Sequence, residues 1–307
     1  MSEAPPPRPP ATTRAGFIAL LGAPNAGKST LLNRLAGAKL SIVSPKPQTT
    51  RFRVLGIVMR GNAQLLFVDT PGIFRPRRRL DRAMVHAAWA GAGDADIAVL
   101  LVDAEKGLSE AVRAILEKLR GRTGPTWLAV NKIDLVAPAD LLPLVARLNA
   151  ELPFAETFML SASTGDGVER LLDHAAQTVP EGPHLYPPED LTDLPDRILA
   201  AEIVRERIYA QTREEVPYGA TVETEKWEER RDGSVAIHAV VYAARPGQKA
   251  ILVGKQGARI KAIGAAARGE LEKLLERRVH LFLRVVLRER WDEERDRLSA
   301  LGLEDPG

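Results

Sequence analysis

The sequence predicts an α/β fold with a mostly parallel sheet, followed by a smaller α+β domain. Three observations carry that expectation. Strand-like apolar runs alternate with amphipathic stretches over residues 14–180, the pattern of a parallel sheet covered on both faces. Prolines then crowd residues 181–195, which can form neither a helix nor a central strand and read as a semi-rigid linker. Past the linker the order becomes helix, strand, strand, helix, helix, strand. At 307 residues the chain is long for one core, and two domains fit its length. The expected division is a disordered tail at 1–13, a first domain at 14–180, the linker at 181–195, and a second domain with a C-terminal tail at 196–307.

The first domain opens on an apolar run at 17–21, a buried strand. Gly22-Ala23-Pro24-Asn25-Ala26-Gly27-Lys28-Ser29 follows, and then an amphipathic stretch at 29–35. This is the phosphate-cradling loop G-x-x-x-x-G-K-[ST] in the setting it requires, between a strand and a helix. Its glycines let backbone N–H groups turn toward phosphate oxygens, and the helix dipole points to the same place. Lys28 is placed to reach the β- and γ-phosphates and Ser29 to put a hydroxyl on magnesium, with Thr30 next in the binding set. The chain is therefore expected to bind a nucleoside triphosphate. In the polar loop after this helix, Gln48-Thr49-Thr50-Arg51 offers a threonine hydroxyl to the magnesium shell. Thr50 is the first choice, with Thr49 beside it. After the run at 65–68 comes Asp69-Thr70-Pro71-Gly72. Asp69 there can hold magnesium through water, and Gly72 can bring its N–H to the γ-phosphate and serve as a hinge. Lys28, Thr50 and Gly72 form the expected catalytic group.

Helical stretches follow at 83–90, 109–119, 139–148 and 167–177. Between them, Asn131-Lys132-Ile133-Asp134 ends the strand-like run at 127–130, on the sheet edge where open α/β folds bind ligands. The Asp134 carboxylate can accept the N1–H and N2–H₂ donors of guanine, a pair that adenine lacks, so the nucleotide is expected to be GTP or GDP. Asn131 can brace the loop and approach N7, and the Lys132 stem can cover the ring face. Ser161-Ala162-Ser163 follows the run at 157–160. It is either a polar turn or a second base contact, with the Ala162 N–H donating to guanine O6.

The second domain begins with a helical pattern at 197–212. Alternating stretches at 218–227 and 234–242 suit a hairpin around Arg231-Asp232-Gly233. Next comes Ile251-Leu252-Val253-Gly254-Lys255-Gln256-Gly257-Ala258-Arg259-Ile260-Lys261, then a helix at 266–275 and a strand at 279–287. The stretch resembles the loop of a KH domain, G-x-x-G between two helices, which clamps nucleic-acid backbone. Gly254 and Gly257 would admit phosphate, while Lys255, Gln256, Arg259 and Lys261 supply charge and donors. Ile251, Val253 and Ile260 are expected to line an apolar groove for splayed bases, which favours single-stranded RNA over duplex. The formal net charge is only +3, but it is unevenly spread: residues 245–290 carry twelve Lys or Arg against four Glu, and residues 292–307 carry six acids against two Arg. A basic block of this kind points to an anionic partner.

Hydrophobic residues make up 45% of the chain, enough for two cores, and no apolar run approaches the length of a membrane span. The Pro-rich N-terminus lacks the apolar stretch of a secretory signal, and the absence of cysteine excludes disulfides and cysteine zinc sites. The cytoplasm is the expected compartment.

Taken in chain order, GAPNAGKS, QTTR, DTPG, NKID and SAS resemble the translation-factor class of GTPases. KPQTTRFRVLGI after the first helix, joined to the G-x-x-G stretch, is similar to the Era family in particular. The resemblance covers residues 16–303. It implies a P-loop GTPase domain followed by a type II KH domain, acting with magnesium in assembly of the 30S subunit at the 3′ end of 16S rRNA. It also implies a monomer with loose association to the inner membrane surface, for which the residues offer neither a lipidation motif nor a strongly basic amphipathic helix. One departure bears on mechanism. Ras-like GTPases place a water-orienting glutamine after Asp-x-x-Gly, and here that position is Ile73. Two roles are open to Asn25: it favours the tight turn, or it helps coordinate potassium as in cation-stimulated relatives. Arg75, Arg77, Arg78 and Arg79 read as a mobile, solvated basic loop. Two functions stay open, a GTP-hydrolysing switch that docks RNA and an RNA-binding assembly factor in which GTP is structural. An ATP-dependent RNA enzyme is disfavoured by Asn131 and Asp134.

Overall fold

The computed structural model describes residues 12–300 and 302–304. Most of the N-terminal segment expected to be disordered, residues 1–11, lies outside the described residues. Its end does not trail away: the Thr13 hydroxyl donates to the Gly182 carbonyl at 2.9 Å.

The first half is built on strands β1 (Arg14–Leu21), β2 (Val54–Arg60), β3 (Ala63–Asp69), β4 (Ile97–Asp103), β5 (Thr126–Asn131) and β6 (Glu156–Leu160). They form one sheet in the order β2-β3-β1-β4-β5-β6, parallel except for the β2–β3 hairpin. Helices α1 (Lys28–Ala36), α2 (Arg79–Asp94), α3 (Glu110–Leu119), α4 (Pro138–Glu151) and α5 (Val168–Thr178) complete this half. Central strands read as continuous apolar runs because both faces are covered; every residue of β3 and β4 is buried. The chain leaves β1 first toward β3 and later toward β4, so the order reverses at the carboxyl end of β1, where α/β sheets hold ligands.

The second half runs α6 (Asp196–Gln211), β7 (Ala220–Glu229), β8 (Val235–Ala243), α7 (Pro246–Val253), α8 (Ala258–Leu274) and β9 (Val279–Leu287), closing with the short helix α9 (Arg295–Ala300). β7 and β8 form the expected hairpin, and β9 adds parallel to β8. The helix anticipated at 266–275 is not separate. It is the later part of α8, which runs unbroken from the G-x-x-G turn because no residue after Gly257 interrupts it.

Two further segments are fixed by distant contacts. The linker is stapled to the first sheet: Gln64, buried on β3, accepts the Leu185 and Tyr186 N–H groups at 2.7 and 3.0 Å, and the Ile57 N–H of β2 donates to Leu191 O at 2.9 Å. The C-terminal tail is packed as well. Trp291, Leu298 and Leu303 are buried in one cluster with Phe52, Leu80 and Tyr242, which come from both halves. Burying a side chain of that size is worth about 1.5–3 kcal/mol, which outweighs the solubility of the surrounding acids.

The joint between the halves is centred on residues 39–53. Lys39 pairs with Glu206 of α6 at 2.6 Å and with Glu270 of α8. The Val43 N–H donates to Glu206 Oε1 at 2.9 Å. Arg51 is buried, donates to the Ala220 carbonyl at 2.8 Å, and lies 5.2 Å from the Trp291 ring centre. Buried Arg205 of α6, held by Glu202, donates to the Thr49 carbonyl.

Candidate functional site

Gly27 explains why the phosphate loop has its shape. It sits at φ 96° directly before α1, and a Cβ there would collide with the Asn131 carboxamide. Only glycine meets both demands. Lys28 begins α1 nearly buried, and its ammonium donates to the Gly22 and Ala23 carbonyls at 3.2 and 3.3 Å. Burial lowers its pKa, and the charge of Asp69 opposes that shift. A cation so desolvated, at a helix N-terminus, is suited to phosphate oxygens.

Beside it, Ser29, Thr50 and Asp69 converge. Asp69 Oδ2 accepts from Ser29 at 2.6 Å and from Thr50 at 3.3 Å, and the two hydroxyl oxygens are 2.7 Å apart. Asp69 Oδ1 is buried without a partner. Burial pushes the Asp69 carboxyl up, while Lys28 and the hydroxyls of Ser29, Ser41 and Thr50 pull it down. An orphaned carboxylate oxygen with two hydroxyls fits a hard cation such as magnesium, which takes oxygen donors and keeps several waters. The two threonines differ in direction: Thr49 donates to the Lys46 carbonyl at 2.7 Å, and Thr50 joins the Ser29–Asp69 cluster. Ser41 was not anticipated. Its hydroxyl donates to Asp69 Oδ2 at 2.9 Å from a loop with no motif to betray it.

The Asp69-Thr70-Pro71-Gly72 turn is pinned rather than free. The Thr70 hydroxyl donates to Leu20 O at 2.8 Å, the Ile73 N–H donates to Gly22 O at 3.0 Å, and Gly72 approaches Pro24. The Ile73 side chain is buried with Leu21, Ala88 and Ala92, so it faces the core and places no group beside the phosphates. Asn25 adopts φ 64° and its Nδ2 donates to Pro45 O at 2.7 Å, a geometry that suits the turn and engages Nδ2 rather than Oδ1. The basic loop departs from expectation. Arg75 and Arg77 are exposed, but Arg78 caps α2 with Asp81, reaches Gln48 at 3.0 Å and pairs with Asp292 at 3.5 Å, and Arg79 donates to Glu293 O. The Asp292 carboxylate and the Glu293 backbone carbonyl thus tie these two arginines to the C-terminal segment.

At the base end, Asn131 bridges two loops: Nδ2 donates to Ala26 O at 2.8 Å, and Oδ1 accepts the Ala162 N–H at 3.0 Å. The Ala162 N–H expected for guanine O6 is thus engaged by Asn131. Asp134 lies near this loop, with the Ser163 hydroxyl 3.4 Å away. Ser161 and Ser163 bond to each other at 3.0 Å. Arg34, from α1, donates to Ala162 O at 3.2 Å and to Ser163 O, a brace 128 residues distant in sequence.

In the second half, Gly254 (φ 72°) and Gly257 (φ 78°) frame an exposed Lys255-Gln256 turn between α7 and α8. Arg259 and Lys261 are exposed on the first turn of α8. The adjoining groove, about 350 Å³, is lined by Ile260, Lys261, Gly264, Arg268, Leu281 and Leu283, among others. Ile251 and Val253 do not line it. Ile251 is exposed on α7, and the apolar wall comes instead from β9, whose part in the groove depends on sheet pairing that local sequence does not display.

Comparison with known proteins agrees with this geometry. Residues 17–132 match the family described as 50S ribosome-binding GTPase, and residues 215–292 match the KH domain family. GTPase Era of Dinoroseobacter shibae is 56% identical over 297 residues, covering 96% of this chain and 96% of that protein. The chain belongs to the GTPase Era family. GTPase Era of Rhizobium meliloti is 54% identical, over 96% of this chain and 94% of its own. Among solved structures, an Era variant of Aquifex aeolicus bound to GDP·AlF4⁻ superposes with a TM-score of 0.90 at 36% identity, covering 94% of this chain and 99% of that one. Era in complex with MgGDPNP and nucleotides 1506–1542 of 16S ribosomal RNA gives the same score at 38% identity and the same coverage. As an Era family member the chain is a GTPase, with a P-loop domain followed by a KH domain.

Proposed function

We propose that this chain is a GTP-driven switch that binds the 3′ region of 16S rRNA and assists 30S subunit assembly. One observation carries the switch: residues 49–51 serve both halves at once. Thr50 joins Ser29 and Asp69, while the Thr49 carbonyl and the Arg51 guanidinium are held by α6 and the turn before β7. A loop that tightens on γ-phosphate and magnesium must move relative to those anchors, or move them. The matched GTPase family is described by the large subunit. The rRNA assignment follows instead the full-length neighbour, whose RNA is 16S.

In this reading Lys28 and the loop at 22–29 hold the phosphates, and Ser29, Thr50 and Asp69 hold magnesium. That ion neutralises the charge on the transferring phosphate. Asp134 with Asn131 and Lys132 takes the base, and the Gly254–Gly257 turn takes RNA backbone. Domain limits at 14–180 and 196–307, joined by 181–195, accord with this division of work. Ile73 leaves water alignment to another group, and a potassium ion beside Asn25 fills that need. With its Nδ2 bonded to Pro45 O, Asn25 would offer that ion its Oδ1. The protein acts as a cytoplasmic monomer with loose contact at the inner membrane surface; among the described residues no helix is long and apolar enough to cross a membrane.

The deciding measurement is RNA affinity at one salt concentration, with GDP and with a non-hydrolysable GTP analogue. Tighter binding with the analogue is expected, by roughly five- to 150-fold. Equal affinities would leave GTP a structural role. Single-turnover hydrolysis in potassium and in sodium tests Asn25, and equal rates would remove the ion.

A further inference from the structure

Asp103 ends β4 as a carboxylate only 5% exposed, outside every motif of the nucleotide site. Its Oδ2 lies 2.7 Å from Lys132 Nζ, and its Oδ1 accepts the Glu105 N–H at 3.1 Å. The backbone around it is rigidly held. Asp103 stands in register with Asn131 across β4 and β5, and the Ala104 N–H donates to Asn131 O at 2.9 Å. The Lys106 and Gly107 N–H groups donate to the Asp103 carbonyl at 3.1 and 2.9 Å. Lys106 Nζ, the more exposed partner, is 3.7 Å from Oδ2. Lys132 itself takes φ 66°, ψ 36° at the head of the short turn Ile133–Leu135 that carries Asp134. The two ends of the Lys132 side chain are therefore both fixed: its Cα by the turn, its ammonium by Asp103.

We propose that Asp103 is a positioning residue for the nucleotide base. By anchoring the Lys132 ammonium at the end of β4, it draws the apolar stem of Lys132 into a straight wall for the face of the purine whose edge Asp134 reads. A lysine in water carries large rotamer freedom, and a ligand that must order it loses affinity. Asp103 removes that cost in advance. Because the contact is with the ring face, it is blind to exocyclic groups and to the number of phosphates. This inference rests on the assignment of the base pocket to residues 131–134.

The test uses the full-length chain and measures equilibrium affinity for GDP, GTP and inosine triphosphate. Asp103→Asn is expected to weaken all three alike, by about three- to tenfold. Asp103→Glu should restore most of the loss. On a Lys132→Ala background Asp103→Asn should cost nothing further. Unchanged affinities, unequal losses among the three nucleotides, or full additivity with Lys132→Ala would each overturn the proposal. Where Asp103→Asn lowers the melting temperature of the nucleotide-free protein, the comparison of Asp103→Glu with Lys132→Ala decides, since a purely structural role predicts no shared loss. Asp134→Asn separates the two levels. If it fails to shift preference from GTP to xanthosine triphosphate, the pocket assignment falls; if it shifts preference while Asp103 has no effect, only the present inference falls.

Discussion

At the carboxyl end of the large sheet, the polar groups are buried and bonded to one another; along α8 and β9 they lie open to solvent. Lys28, Asp69, Thr50 and Asn131 are each almost inaccessible, and each is held by a partner. Lys255, Gln256, Arg259 and Lys261 are all exposed. The first arrangement suits a ligand that must be held in one geometry while a bond breaks, since preorganised donors cost no rearrangement at that moment. The second suits a flexible polyanion whose affinity comes from summed charge and stacking. The contrast teaches that burial, not charge, separates these two regions.

Lys28→Ala is the most severe way to probe the buried side. Single-turnover GTP hydrolysis should fall on the order of 10²–10³-fold, because a desolvated charge beside the phosphates is lost. RNA affinity of the nucleotide-free protein should not change. A comparable drop in RNA affinity would erase the separation between the two regions.

A smaller effect is expected on the open side. Gly254 and Gly257 are unequal: a Cβ at Gly254 would meet the Arg259 Cβ at 2.8 Å, whereas at Gly257 nothing lies within 4 Å. Gly257→Asp therefore adds charge with less disturbance, and filter binding should show RNA affinity reduced by about ten- to 100-fold, the scale of charge-assisted contacts. GDP affinity should remain at the wild-type value. If the RNA measurement is unmoved, phosphate does not pass this turn.

The mildest test is pH. Burial raises the Asp69 pKa, so protons compete with magnesium at higher pH than they would at an ordinary carboxylate. Magnesium-dependent GDP binding should weaken as pH falls through that raised value and recover above it, where the carboxylate is charged. Isothermal titration of magnesium across pH reads the slope directly. An equal slope in Asp69→Asn would assign the titration to another group.

Sequence reading and structure part company along the same line. The phosphate loop, the Asp-Thr-Pro-Gly turn and the Asn-Lys-Ile-Asp segment were legible because each is local, with glycines and polar residues at fixed spacing that backbone geometry demands. Fold class was legible for a similar reason, since the alternation of runs needs no distant partner. Ser41, Arg34 and Asp103 were not legible, as each acts across a fold that brings together residues 28 to 128 positions apart. The groove was half legible: Ile260 lies beside the G-x-x-G turn, but Leu281 and Leu283 reach it only through β9. The packing of the C-terminal tail was not legible either, since its apolar side chains find partners only in both halves of the fold.

Trp291 gives that last point a wider meaning. It is 1% exposed, its indole N–H donates to Gly219 O at 3.0 Å, and it underlies Arg51. Every motif for nucleotide and RNA precedes it in the chain. A polypeptide that stopped short of residue 291 would lack this indole and its contacts with Gly219 and Arg51. The joint therefore draws on the last residues of the second half as well as on residues 39–53, so contact between the halves is completed only by a segment that carries none of the ligand motifs.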